Sequence, residues 1–220
     1  MEHEFWHQRW ASNQIGFHEP TANPLLIEHL GALELAAGSR LLLPLCGKTL
    51  DIGWLLAAGH RVVGVELSEL AVQQLFAELG VTPRIHVPND ALKVYETDNL
   101  RVFVGDIFTL SRELLGPVDA IYDRAALVAL PATLRPRYAR HLAELGAGAP
   151  QLLISFDYQQ SRLPGPPFSV PGEELAELYG ERYHLQQLAR QALAGGLKGQ
   201  CPADEVVWLL QPRAGRTRLE

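Results

Sequence analysis

Several absences narrow this chain's class before any motif is considered. Only two cysteines, Cys46 and Cys201, occur in 220 residues. That excludes the disulfide framework of a small secreted scaffold and predicts a reducing compartment. The formal net charge is −6 and no cluster of Lys and Arg appears, whereas a phosphate backbone demands a concentrated positive field. Nucleic acid is not an expected partner. No apolar stretch approaches the roughly 18–20 residues of a membrane helix, so no membrane partner is expected either. The opening Met-Glu-His-Glu-Phe-Trp lacks the basic-then-apolar order of a secretory signal. A cytoplasmic protein is the expectation, with a monomer as the default.

Two catalytic signatures are missing as well. There is no G-x-G-x-x-G, whose glycines let backbone approach a pyrophosphate, so a nicotinamide-dependent oxidoreductase is disfavoured. There is no G-x-S-x-G, so a hydrolase has little support. One metal-like pattern is present, His3-Glu4-Phe5-Trp6-His7. It sits too near the start of the chain to lie inside a core and has no third ligand after it. No metal is expected.

What is present reads as an α/β protein. Apolar residues at 47% and charged residues at 20% suit a packed domain, and 220 residues suit one domain of residues 1–220. An aromatic-rich N-terminal extension, residues 1–37, carries a short helical pattern and a second helix over 24–35. Strands follow at 40–45 and 61–66, with helices at 50–58 and 69–79, the latter capped by Ser68. Residues 93–96 and 100–104 flank Asp98-Asn99 as a hairpin. Further strands are predicted at 118–122, 151–156, 184–188 and 205–210, with helices at 134–145 and 173–179. The order implies a mostly parallel sheet covered on both faces. A Pro-rich loop, 162–172, cannot be regular structure because proline fixes φ and removes donors.

Open α/β sheets bind ligands beyond the carboxyl ends of their strands, where strand order reverses. Three features fall at such ends. Leu45-Cys46-Gly47 leads into a helix N-terminus, where Gly47 permits close approach and free amides suit a carboxylate; the glycine could equally serve only the turn. Glu66 ends the second strand and is placed to accept from both hydroxyls of a ribose, against a solvated charge or helix cap. Asp106-Ile107 follows a strand, with Asp106 able to accept from an exocyclic amine and Ile107 to pack on a base, or Asp106 to cap a turn.

Five stretches resemble the thiopurine S-methyltransferase family: Trp10 with Gly16-Phe17-His18-Glu19; residues 43–51, Leu-Pro-Leu-Cys-Gly-Lys-Thr-Leu-Asp; residues 59–69, Gly-His-Arg-Val-Val-Gly-Val-Glu-Leu-Ser-Glu; Tyr122-Asp123-Arg124-Ala125-Ala126-Leu127; and residues 164–171, Pro-Gly-Pro-Pro-Phe-Ser-Val-Pro. They run in family order through nearly the whole chain. The resemblance implies a Rossmann-like class I methyltransferase fold with a mostly parallel seven-stranded sheet. It implies transfer of a methyl group from S-adenosyl-L-methionine (SAM), leaving S-adenosyl-L-homocysteine, to a small aromatic or heterocyclic thiol. Selenium or tellurium compounds are the alternative acceptors, and a non-catalytic SAM-binding module is a remoter one. Carried onto this chain, cofactor contacts fall on Trp10, Leu45, Glu66, Ile107 and Arg124, with Asp106 adjacent, beside the Gly47 identified above. Acceptor contacts fall on Phe17, His18, Arg124, Pro167 and Phe168, with residues 1–37 covering the cofactor.

The family's pattern departs at residues 193–201, where Lys198 is the only basic residue and an arginine found in some relatives is missing. Arg124 would stabilise an anionic acceptor with its always-charged fork of donors, or pair with Asp123. Trp10 would face a sulfonium cation, or pack with Trp6 one turn away. His18 would orient an acceptor or relay a proton, or simply tie down a loop. The Pro-rich loop would close over the acceptor, or be a rigid connection.

Overall fold

A computed structural model describes residues 3–16 and 18–213; the acceptor contact expected at Phe17 lies outside the described residues. The chain opens with α1 (His3–Ala11) and α2 (Pro24–His29), the latter capped by Asn23, whose side chain accepts from the Leu25 amide at 2.9 Å. The helix expected over 24–35 stops short at His29 and continues as a 3-10 turn, Leu30–Leu33, closed by left-handed Glu34.

The sheet then forms from β1 (Arg40–Pro44), β2 (Arg61–Glu66), β3 (Arg84–Asn89), β4 (Leu92–Glu96), β5 (Leu100–Val104), β6 (Ala120–Arg124), β7 (Gln151–Asp157), β8 (Tyr183–Ala192) and β9 (Asp204–Pro212). Between them run α3 (Asp51–Ala57), α4 (Glu69–Glu78), α5 (Arg112–Leu115), α6 (Arg135–Leu145) and α7 (Gly172–Tyr179). Strand order is β3-β4-β5-β2-β1-β6-β7-β9-β8. The sheet is thus nine-stranded and mixed, not the seven-stranded, mostly parallel sheet expected. Five central strands pair in parallel, while β3-β4, β4-β5, β7-β9 and β9-β8 pair antiparallel.

The difference has a physical cause. β3 is exposed at all six positions and contains Pro88, which suits an edge strand and erases the alternation that marks a half-buried one. β6 also begins two residues later than expected. Just before it the Asp119 carboxylate accepts from the Arg40 amide at 2.7 Å, and the last residue of the strand is Arg124.

The parallel strands are buried on both sides, so they read as apolar runs. Leu41 and Leu43 of β1 pack with Ile52, Leu55 and Leu75 of α3 and α4 on one face. Leu42 faces Tyr138, Leu142 and Tyr179 of α6 and α7 on the other. The chain moves from β1 outward through β2 to β5, then returns to β6 beside β1. A crevice must open where these two directions diverge.

Candidate active site

That crevice is a cavity of about 640 Å³, floored by the carboxyl ends of β1, β2, β6 and β7 and roofed partly by Trp6, Arg9 and Trp10 of α1. Its size falls in the usual ~300–1,000 Å³ of small-molecule sites. Three non-glycine residues beside it adopt left-handed backbone, Leu45 (φ 47°) after β1, Ala125 (φ 58°) after β6 and Lys198 (φ 54°) between β8 and β9. Such conformations cost on the order of 1–3 kcal/mol and gather at functional sites.

At one end the wall is built by backbone. Glu66 is buried; its Oε2 accepts from the Gly47 amide at 2.8 Å and its Oε1 from the Ser68 amide at 2.7 Å. Burial raises the pKa of this carboxyl, and the amides of Ser68, Gly47 and Leu67 work against that rise. The Gly47 amide, expected to meet a ligand carboxylate, is therefore engaged by Glu66. Gly47 itself has φ +53°, and a Cβ there would come 2.9 Å from the Trp10 ring. A larger residue there would be strained and would have to displace Trp10.

At the opposite end the wall is built by side chains. Arg124 pairs with Glu19, in the loop after α1, rather than with Asp123. Asn23 donates to Glu19 at 3.4 Å and, through its backbone amide, to Asp51 at 2.7 Å; Tyr122 donates to Asp51 at 3.1 Å. Asp123 points the other way, accepting from the Leu127 amide at 3.0 Å and the Tyr138 hydroxyl at 2.8 Å, and burial pushes its pKa up to about 6. His18 lines the cavity with its pKa lowered, by burial first and then by the charge of Lys48. The Pro-rich loop contributes Pro166 and Pro167; Lys198 Nζ donates to the Pro166 carbonyl at 2.8 Å.

The cavity thus gathers Trp10, Leu45, Gly47, Glu66, Arg124, His18 and Pro167 from the sequence-derived set. Asp106, Ile107 and Phe168 are not among its lining residues. Asp106 caps a 3-10 turn through the Phe108 amide at 3.0 Å and accepts from His3 at 3.1 Å. Ile107 is buried in the core, its carbonyl accepting from His141 at 2.8 Å. The Phe168 ring lies under the Arg135 guanidinium, 5.5 Å from it, with Gly165 against its edge. Reading the sequence alone missed Glu19, Asp51, Tyr122 and Glu205 as lining residues. Glu19 stood inside a recognised motif; Glu205 carried no local signal.

The thiopurine S-methyltransferase family model matches residues 1–206. A curated thiopurine S-methyltransferase from Xanthobacter autotrophicus is 54% identical over 212 residues, covering 96% of this chain and 99% of that protein. The chain belongs to the thiopurine S-methyltransferase family. A second member, from Teredinibacter turnerae, is 52% identical, covering 96% of this chain and 97% of its own. Among solved structures, the Burkholderia thailandensis 1,6-didemethyltoxoflavin-N1-methyltransferase, with 1,6-didemethyltoxoflavin and S-adenosylhomocysteine bound, superposes with a TM-score of 0.64 at 15% identity. It covers 95% of this chain and 87% of its own, a likeness of fold.

As a family member the chain is a SAM-dependent methyltransferase. The residues present fit that cofactor. A buried carboxylate with an amide on each oxygen keeps a second lone pair on each, which is what a vicinal diol needs. Among the described residues there is no metal-holding cluster of three His, Cys, Asp or Glu side chains, and no helix is long and apolar enough to cross a membrane.

Proposed function

We propose that this enzyme methylates the sulfur of a small aromatic or heterocyclic thiol, with one domain of residues 1–220 doing the work and residues 1–37 covering the donor. The observation that carries the reading is that one cavity brings together the Glu66 carboxylate at the end of β2 and the Arg124 guanidinium at the end of β6, with the turn after β1 between them. Bound SAM supplies a methyl group on a sulfonium, open to in-line displacement. Glu66 holds the sugar of the donor, and Leu45 and Gly47 form the turn on which it rests. The Trp10 ring packs on Gly47 of that turn, and its π-system attracts the positive sulfur by about 0.5–2 kcal/mol.

Arg124, His18 and Pro167 form the acceptor side. Arg124 orients the acceptor and favours its anionic form, since the thiolate is the nucleophile. Holding the two reactants aligned in a site shielded from water contributes on the order of 7–11 kcal/mol. An aromatic thiol on an electron-poor ring is largely ionised near neutrality, so alignment and charge supply most of what its reaction needs.

The test is incubation with labelled SAM and a panel of thiols, alongside calorimetry with S-adenosylhomocysteine. Label appearing as the S-methyl product of aromatic thiols supports the reading. A folded protein that takes up no S-adenosylhomocysteine, or near-wild-type rates in both Glu66→Ala and Arg124→Ala, overturns it.

A further inference from the structure

Four carboxylates line the cavity, and three are held by a cation or by two donors, whereas the fourth has a hydrogen bond with one neutral amide, Gln191. Glu66 holds two backbone amides, Asp51 holds Asn23 and Tyr122, and Glu19 holds Arg124. The fourth, Glu205, is the second residue of β9, directly opposite Phe156 of β7, two strands along from Arg124 and so at the acceptor side of the crevice. No cation among the described residues reaches ion-pair distance of it. The nearby Arg190 is spent on Asp157 and Asp204, and Arg124 on Glu19. The groups facing Glu205 are Glu19 and Arg124 across the cavity and Gln191 on β8. Burial first, and then the charge of Glu19, raises its pKa.

We propose that Glu205 is the base that takes the proton of a thiol acceptor arriving un-ionised, extending the enzyme's range to weakly acidic thiols. This rests on the thiol reading above. Arg124, half neutralised by Glu19, cannot by itself ionise a thiol whose pKa lies well above neutrality. In the step, the S–H bond breaks and its proton passes to a Glu205 carboxylate oxygen. The sulfur's electron pair forms the new S–CH₃ bond. The bond between the methyl carbon and the sulfonium breaks, its electrons remaining on the departing thioether. Glu205 then releases its proton to water as product leaves. Its raised pKa brings the base nearer the thiol's own, the condition under which proton transfer is most effective.

The experiment compares wild type with Glu205→Gln on two acceptors, 4-nitrothiophenol, ionised at neutral pH, and benzyl mercaptan, which is not. The expected loss in kcat/KM is ~10²-fold for benzyl mercaptan and at least tenfold smaller for 4-nitrothiophenol. The variant's rate on benzyl mercaptan should climb with pH as the thiol itself ionises, where wild type levels off earlier. Equal losses on the two thiols, or none, overturn the assignment. An unchanged melting temperature and S-adenosylhomocysteine affinity in the variant show that the wall is intact. A second readout does not need turnover: calorimetric binding of benzyl mercaptan to the S-adenosylhomocysteine complex, in buffers of different ionisation heat. Wild type should keep the thiol proton and Glu205→Gln release it or fail to bind; equal proton release by both overturns the proposal. Wild type that binds S-adenosylhomocysteine but methylates neither thiol would strike the thiol reading instead.

Discussion

The two ends of the cavity are made in different ways. At the Glu66 end, contacts link residues 2 and 19 positions apart and run through backbone amides. At the Arg124 end, the decisive pair spans 105 positions and joins two side chains, and the Pro-rich loop is held by a lysine 32 positions away. A backbone-built wall presents one fixed geometry. A wall of paired side chains changes with any one partner. The first suits a reagent that never varies, and the second suits acceptors that do.

The largest expected break in this comparison is Glu66→Ala. It removes the ribose acceptor and orphans two buried amides, each worth about 1–3 kcal/mol. S-adenosylhomocysteine affinity should fall at least ~100-fold, and the melting temperature should drop with it; affinity within threefold of wild type would place the sugar elsewhere. Arg124→Ala should act on the other half alone. Turnover of an anionic thiol falls about 10- to 100-fold, the loss of a charge-assisted contact, while the melting temperature holds; steady-state kinetics beside a thermal melt decide it.

Asp123 sharpens the picture from below the floor. Its folded pKa of about 6 stands above the unfolded 3.8, so the folded state binds the proton more tightly. Stability should therefore decrease as pH rises from about 4 to about 6 and level beyond, by on the order of 3 kcal/mol. Melting temperatures of Asp123→Asn across that range should lose this slope. The smallest effect is expected for Glu19→Gln. Relieving Arg124 of its counter-charge should lower KM for anionic thiols a few-fold, a partly exposed pair being worth under ~1 kcal/mol. A raised KM would mean that Glu19 orients Arg124 more than it neutralises it.

Much of the fold was legible because its signals are local. β1, β2 and β5 are apolar runs, Ser68 caps α4, and β2 ends at Glu66 as read. β3 was illegible because none of its positions is buried and Pro88 interrupts it. β8 was read over 184–188 only, since its outer residues have no alternation to mark them. The site divides the same way. Glu66 was found because a strand end near a reversal of order is a position sequence can give, whereas Arg124, two residues beyond the strand as read, came only with the family resemblance. Asp106 and Ile107 met the same rule, yet Gly105 (φ 149°) and the 3-10 turn after it carry Ile107 into the core and leave Asp106 capping. The Glu19–Arg124 pair and Glu205 depend on where distant loops and a returning strand settle, which no spacing records.

The bond from Lys198 to the Pro166 carbonyl fastens the β8–β9 connection onto the Pro-rich loop, above a small cluster of Tyr158, Leu163, Leu197 and Cys201. Anyone grafting a new acceptor preference onto this scaffold would have to transplant both segments together. Exchanging either alone would leave a mismatched seam at the rim, and the borrowed preference would not travel with it.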